Sequence, residues 1–313
     1  MKIISEAGHP DIATVYLAET DNEKYIEFVE SIQPPIPRGE KWVLIVSTLY
    51  GCPVRCAICD AGGWYEGCIS AEHILAQIDY LVDRYYPDRD IPVKKFKIQF
   101  ARMGEPAFNL KVLDVLETLP HRYQAPGLMP SISTVAPLGA ELFFDRLCQI
   151  KQKHYAQGQF QLQFSIHTTD VTLRDQWIPI KKWDFQTIAA YGKWFFVPGD
   201  RKITLNFALA DNFPVSEAIL AEHFDPGVFA IKITPVNPTL NAISNKISSG
   251  VDVDNPQNEP AIAASLRKQG YDVIVSIGEL EENKIGSNCG QYVKRFLDSR
   301  KPIPGSYRYE YLL

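Results

Sequence analysis

The chain has 313 residues, 46% of them hydrophobic and 22% charged, with a formal net charge of −5. That composition suits one large α/β domain or two small ones. No uninterrupted apolar run reaches the ~18–20 residues that span a bilayer, and residues 1–19 lack the apolar core of a secretory signal, so the expectation is a cytoplasmic protein with no membrane partner. The acidic balance speaks against a nucleic-acid substrate, which calls for a basic face; two lysine clusters, Lys94, Lys95 and Lys97, and Lys181 and Lys182, read as solvated faces.

Two β-rich runs, residues 12–19 and 24–31, predict an N-terminal hairpin, and the proline-rich stretch 33–39 then breaks regular structure. From Trp42 onward strands and helices alternate. Strands are expected over 43–49, 96–101, 130–135, 160–167, 202–208 and 229–234, with helices over 71–85, 110–119, 140–153, 185–194 and 215–223. Ile74, Ile78, Leu81 and Val82 mark one buried stripe on the first of these helices. Alternation of this kind implies α/β architecture with a parallel sheet and right-handed crossovers. Six such units are too few for a closed eight-fold barrel, which leaves a partial (β/α)6 barrel or an open sheet. A polar stretch over 237–260, long for a structureless loop, is expected to be mobile or functional. Helix (261–269), strand (271–277) and helix (292–299) close the chain. The expected organisation is a hairpin extension over 1–40, a barrel over 41–240 and a C-terminal extension over 241–313.

Of six cysteines, three crowd into one loop: Cys52, Cys56 and Cys59, spaced C-x3-C-x2-C directly after the first strand of the alternating region. In barrel-like α/β folds, loops at the C-terminal ends of strands build the active site. Three thiolates can hold three irons of a 4Fe–4S cubane and leave the fourth open to an outside ligand. A zinc site completed by His73 or a distant residue is the alternative, although no fourth Cys or His sits at zinc-finger spacing.

With that loop the chain resembles the radical S-adenosylmethionine (SAM) superfamily, whose open iron is chelated by SAM and whose reduced cluster cleaves SAM to a 5′-deoxyadenosyl radical. Further segments resemble the RlmN/Cfr branch, the radical SAM methyltransferases of ribosomal RNA adenine, over residues 12–293. Met103-Gly104-Glu105-Pro106, followed by Asn109, resembles Gly-Met-Gly-Glu-Pro; residues 131–137 resemble Ser-Thr-Ser-Gly-Val-Val-Pro. Ser165-Ile166-His167 with Leu173-Arg174-Asp175 and Ile178-Pro179-Ile180 resembles Ser-Leu-His, Leu-Arg-Asp and Val-Pro-Ile. Residues 234–238 resemble Ile-Pro-Trp-Asn-Pro, and Asn288-Cys289-Gly290-Gln291 resembles Ala-Cys-Gly-Gln. The resemblance implies a radical SAM barrel, cluster ligation by Cys52, Cys56 and Cys59, and SAM contacts at Gly104, Glu105, Ser131, Ser165, Ile166, His167 and Asn237. It also implies an external electron donor such as flavodoxin or ferredoxin. Cys289 would be the cysteine that SAM methylates and whose methyl is then activated for addition to substrate, and Glu27 the proton acceptor, with Glu30 a near rival.

Two departures stand out. The family places a second cysteine, which resolves the covalent adduct, seven positions before the first cluster cysteine; this chain has Ile45 there. Cys68 is a possible substitute, though a lone cysteine ahead of a helix is more simply a packing residue. The RNA-methylating members carry a helical domain before the hairpin, and this chain begins almost at the hairpin. The expectation is therefore methyl or methylene transfer to an unidentified substrate, a small molecule in preference to RNA. Direct hydrogen abstraction without methyl transfer, and methylation of RNA, are the competing readings.

Overall fold

The computed structural model describes residues 1–255, 257–278, 282, 285–287 and 292–299. In chain order the elements are β1 (Lys2–His9), β2 (Ala13–Glu19), β3 (Tyr25–Ser31), β4 (Trp42–Val46), β5 (Leu49–Gly51), β6 (Tyr65–Cys68), α1 (Ala71–Tyr85), β7 (Phe96–Phe100), a 3-10 turn (Pro106–Phe108), α2 (Lys111–Arg122) and β8 (Leu128–Thr134). Then follow α3 (Glu141–His154), β9 (Gln161–Ser165), α4 (Val171–Trp177), α5 (Phe185–Phe195), β10 (Ile203–Leu209), α6 (Glu217–His223), β11 (Phe229–Pro235), α7 (Leu240–Ser244), α8 (Ala261–Lys268), β12 (Asp272–Val275) and α9 (Tyr292–Ser299). The α/β class expected from the alternation is the one observed. Two compact units divide the chain: Met1–Pro53, Asp60–Ser131 and the described residues from Gly278 onward form the first, Val54–Cys59 and Ile132–Ile277 the second.

In the first unit β1, β2, β3 and β4 pair antiparallel in sequence order and β4 pairs parallel with β7. The hairpin expected over 12–31 is present, with Tyr16 opposite Phe28 and Val15 opposite Val29. Ahead of it lies β1, which the sequence pattern did not reveal. It is a bulged, half-exposed edge strand whose register shifts between Ile3 and Ser5, so strict alternation is lost. Period-2 alternation sorts β3 cleanly. Phe28 lies edge-on to Tyr80 of α1, with centroids 5.8 Å apart, and Glu30 accepts from Tyr85 of α1 at 3.1 Å. The other face takes the C-terminal residues: Ser31 donates to Glu282 at 2.8 Å, Val29 packs with Ile285 and Tyr292, and Glu27 meets the start of α9.

In the second unit β9, β10, β11 and β12 run parallel in that order. β10, Ile-Thr-Leu-Asn-Phe-Ala-Leu, is buried along its whole length, as a parallel strand covered on both faces must be. Four helices start on side-chain caps: Asp170 for α4, Asp184 for α5, Ser216 for α6 and Thr239 for α7. Each cap oxygen satisfies an amide that the first helical turn leaves unpaired. α7 falls inside the polar stretch 237–260, where no periodic apolar signal announced a helix.

Candidate active site

In the first unit the loop after β4 is threaded against the Gly104-Glu105 segment. The amides of Thr48 and Leu49 donate to the Met103 carbonyl at 2.8 and 3.1 Å. Asn109 reaches back with its amide nitrogen to the carbonyls of Thr48 at 2.7 Å and Ile69 at 2.8 Å. Gly104 has φ +100°, and a Cβ there would lie 2.5 Å from Leu49 Cβ, so only glycine fits. Glu105 is buried and caps the 3-10 turn through the Ala107 amide at 3.1 Å. Gly51 is bound as tightly: φ is +76° and a Cβ would meet the Trp64 carbonyl oxygen at 2.2 Å. That approach lets the amide of buried Cys52 donate to the same oxygen at 3.0 Å. Ser131, on β8, is 2% exposed.

In the second unit Cys56 and Cys59 sit half-buried in a loop whose backbone is held from elsewhere. Ala57 N donates to the Trp177 carbonyl at 2.9 Å. Thr239 Oγ1 donates to the Ile58 carbonyl at 2.9 Å, Asn241 Nδ2 to Cys59 O at 2.6 Å, and Asn245 Nδ2 to Ala57 O at 2.8 Å. Three successive carbonyls are therefore fixed by side chains of one short helix and its cap, just beyond Asn237. At the end of β9, Ile166 N and His167 N donate to Asn206 O at 2.9 and 3.1 Å, and His167 Nδ1 accepts from Ala208 N at 3.1 Å. His167 has φ +65°. Burial above all, and then the Arg174 guanidinium, push its pKa down to about 4, so it stands neutral. Ser165 and Asn237 are half-buried.

Cysteine thiols are the donors that an iron–sulfur cluster takes. None of Cys52, Cys56 and Cys59 is in a disulfide. Among the described residues no three His, Cys, Asp or Glu side chains converge as ligands of one ion would.

Cys289 lies outside the described residues, but its flanks are in place. Glu27, fully buried, places Oε1 2.7 Å from Arg102 Nε and accepts with Oε2 from the amides of Tyr292 at 2.6 Å and Val293 at 2.8 Å. Arg102 Nη1 donates to the carbonyls of Gly286 at 3.0 Å and Ser287 at 2.7 Å. Glu30 is occupied elsewhere, by Arg38 at 2.9 Å, Trp42 Nε1 at 2.9 Å and Tyr85. Ile45, at the family's resolving-cysteine position, packs into an apolar cluster with Val29, Ile285 and Tyr292. Cys68 is exposed, and its thiol faces the Phe108 carbonyl at 3.4 Å.

Sequence reasoning missed Arg102, Thr239, Asn241 and Asn245. Arg102 had a signal: it occupies the first glycine position of the Gly-Met-Gly-Glu-Pro motif. The asparagines had none beyond their place in a polar stretch. The lysine clusters are partly neutralised, with Lys94 on Glu40 at 2.8 Å and Lys182, 2% exposed at its side chain, on Asp175 at 2.5 Å. Among the described residues no helix is long and apolar enough to cross a membrane.

No family model matches the chain. It is 29% identical, over 80% of its length and 67% of the relative's, to a protein of Desulfitobacterium hafniense named probable dual-specificity RNA methyltransferase RlmN. A Synechococcus protein of the same name is 24% identical over 88% of this chain and 78% of its own. Among solved structures, a radical SAM methyltransferase from Sphaerobacter thermophilus superposes with a TM-score of 0.70 at 20% identity, covering 93% of this chain and 80% of its own. The fold is thus the one that this solved radical SAM methyltransferase has. The relatives and the ordered motifs point the same way: the chain is similar to the RlmN/Cfr-like branch of radical SAM enzymes. SAM and a 4Fe–4S cluster are what that class uses in general.

Proposed function

We propose that this enzyme transfers a methyl-derived carbon through Cys289 to a substrate other than ribosomal RNA, a small molecule, nucleotide or peptide. The observation that carries the reading is the docking of both flanks of Cys289 beside position 45. Ile285 and Tyr292 pack with Ile45, and Gly286, Ser287, Tyr292 and Val293 are held by Arg102 and Glu27. These flanks meet the position at which the family has its resolving thiol and this chain has Ile45.

Cys52, Cys56 and Cys59 would hold the cluster, and Gly104, Glu105, Ser131, Ser165, Ile166, His167 and Asn237 would surround SAM. When bound, cluster and SAM supply the 5′-deoxyadenosyl radical that removes hydrogen from an unactivated carbon. A carboxylate such as that of Glu105 suits an ammonium, which donates hydrogen bonds and accepts none. Neutral His167, holding the Ala208 amide, keeps the end of β9 in its left-handed turn. Cys289 contributes a nucleophile: its thiolate attacks the SAM methyl, the sulfonium C–S bond breaks as the new S–C bond forms, and the thiol proton leaves to solvent. Ile45 has no thiol to attack the sulfur of the later thioether and free the carbon as a disulfide forms, so release falls to the substrate's own chemistry, to a base such as Glu27 or to Cys68 as a substitute thiol. Substrate choice rests on charge: net −5, with Lys94 and Lys182 tied to carboxylates, is a poor start for the phosphate contacts of an RNA complex.

The test is anaerobic reconstitution with iron and sulfide, followed by reductant and methyl-deuterated SAM. Mass spectrometry of the Cys289 peptide is expected to find the labelled methyl, together with 5′-deoxyadenosine. Deoxyadenosine without label on Cys289 would move the enzyme to direct hydrogen abstraction.

A further inference from the structure

We infer that Glu27 and Arg102 form a positioning pair that holds Gly286, Ser287, Tyr292 and Val293, the described flanks of Cys289, and that methylation of Cys289 depends on this hold. The inference rests on Cys289 being the methyl carrier, and it gives Glu27 a task other than accepting a proton.

The geometry is that of a clamp. Glu27 is divided between two tasks: Oε1 lies on Arg102 Nε at 2.7 Å, and Oε2 receives the first two amides of α9 at 2.6 and 2.8 Å. Those amides have no partner inside their own helix, and a carboxylate there also meets the positive end of the helix dipole. Arg102 turns its other arm to the carbonyls of Gly286 and Ser287, at 3.0 and 2.7 Å. One ion pair therefore grips the chain two residues before Cys289 and three after it. Both side chains are almost wholly out of water, 1% exposed for Arg102 and 0% for Glu27. Burying two charges is unfavourable unless pairing and hydrogen bonds compensate, and here the two amides held by Glu27 and the two carbonyls held by Arg102 Nη1 all belong to the flanks of the same short segment.

Arg102 is the telling residue. The motif that the chain otherwise follows has glycine at this position, which could neither pair Glu27 nor reach the Gly286 and Ser287 carbonyls. Arginine rather than lysine is needed, because a planar fork can serve a carboxylate and two carbonyls at once. Gly104 and Glu105 follow within three residues, so the strand end that presents the proposed SAM contacts also carries the anchor of the methyl-carrying segment.

The test uses hydrogen–deuterium exchange of the full chain, with Cys289 methylation from labelled SAM as the second readout. In E27Q and R102M, exchange over residues 285–287 and 292–293 is expected to rise at least tenfold, with β10 and β11 unchanged. Cys289 methylation is expected to fall at least tenfold in both. R102K, which keeps the charge and loses the fork, should lie between these and the parent protein. Parent-like exchange and methylation in E27Q would overturn the inference. If exchange rises throughout E27Q and R102M, the variants have failed to fold and R102K decides: exchange raised at residues 285–287 alone supports the clamp, and parent-like exchange overturns it. If the parent protein carries no methyl on Cys289, the methyl-transfer reading fails, and the exchange arm still judges the clamp.

Discussion

Two segments carry the proposed chemistry, and the molecule holds them by opposite means. The loop with Cys56 and Cys59 is fixed by neutral donors, Thr239, Asn241 and Asn245, on three consecutive carbonyls. The described flanks of Cys289 are held by a buried ion pair, through the carbonyls of Gly286 and Ser287 and the first amides of α9. The difference follows from what each segment must do. A cluster loop gains negative charge from its thiolates, so neutral amides that bind carbonyls steady it without altering its charge. A methyl-carrying segment takes part in covalent chemistry and needs one defined geometry, which a charge-assisted clamp supplies more firmly than a lone neutral bond.

The comparison breaks most visibly at the ion pair. Removing one partner strands a buried charge, at a cost of about 3–5 kcal/mol, so E27Q and R102M should each lower the thermal midpoint by roughly 5–8 °C. A scan showing less than about 2 °C would mean that water reaches the pair and that the clamp is weak. The second unit meets its buried base in another way, by leaving it uncharged. His167 is pushed down to about 4 by burial and by Arg174, below the ordinary histidine value of ~6.5. The unfolded chain therefore binds a proton that the folded one refuses between pH 6.5 and 4. Stability is full above that window and falls by about 3 kcal/mol across it. Urea unfolding from pH 7 to 4 should show the loss, and H167N should flatten it. A smaller effect sharpens the first region. I45C removes apolar bulk at a cost of roughly 1 kcal/mol and restores a thiol beside Ile285 and Tyr292. Under mild oxidant its peptide should link to that of Cys289; persistent free thiols would mean that Cys289 faces away from position 45.

How much of this was legible follows the range of the interactions. The cysteine spacing is local, and it located the proposed cluster loop without help from distant residues. The alternation of β3 separated Glu27 from Phe28 and Glu30 by face, but it could not say whether Glu27 met solvent or protein. Its partners lie as far as 266 residues away in sequence. Arg102 was visible as a departure from a glycine motif, yet its meaning depends on carbonyls 184 and 185 residues distant. Edge strand β1 was missed because its bulge and half-exposed faces leave no alternation to read. The polar stretch 237–260 gave its length as a signal, but asparagine favours loops and helix termini alike, so neither α7 nor its hold on the cluster loop could be inferred.

That hold also gives the smallest and most discriminating expectation. Asn241 is half-buried, and N241A would leave the Cys59 carbonyl without its donor, costing about 1–2 kcal/mol locally. Asn245 is exposed, water can replace its amide on Ala57, and N245A should cost less than about 0.5 kcal/mol. Neither cost should shift the thermal midpoint of the apo-protein by more than about 3 °C. The effect belongs to the cluster loop: in reconstituted N241A, iron should pass to a chelator roughly ten times faster than in the parent protein, and in N245A within about twofold. Equal rates in all three proteins would show that the thiolates alone position the loop, and the contrast between the two regions would then rest on the ion pair alone. A faster loss in N245A than in N241A would reverse the assignment, making the Ala57 carbonyl, next to Cys56, the one whose orientation the cluster depends on.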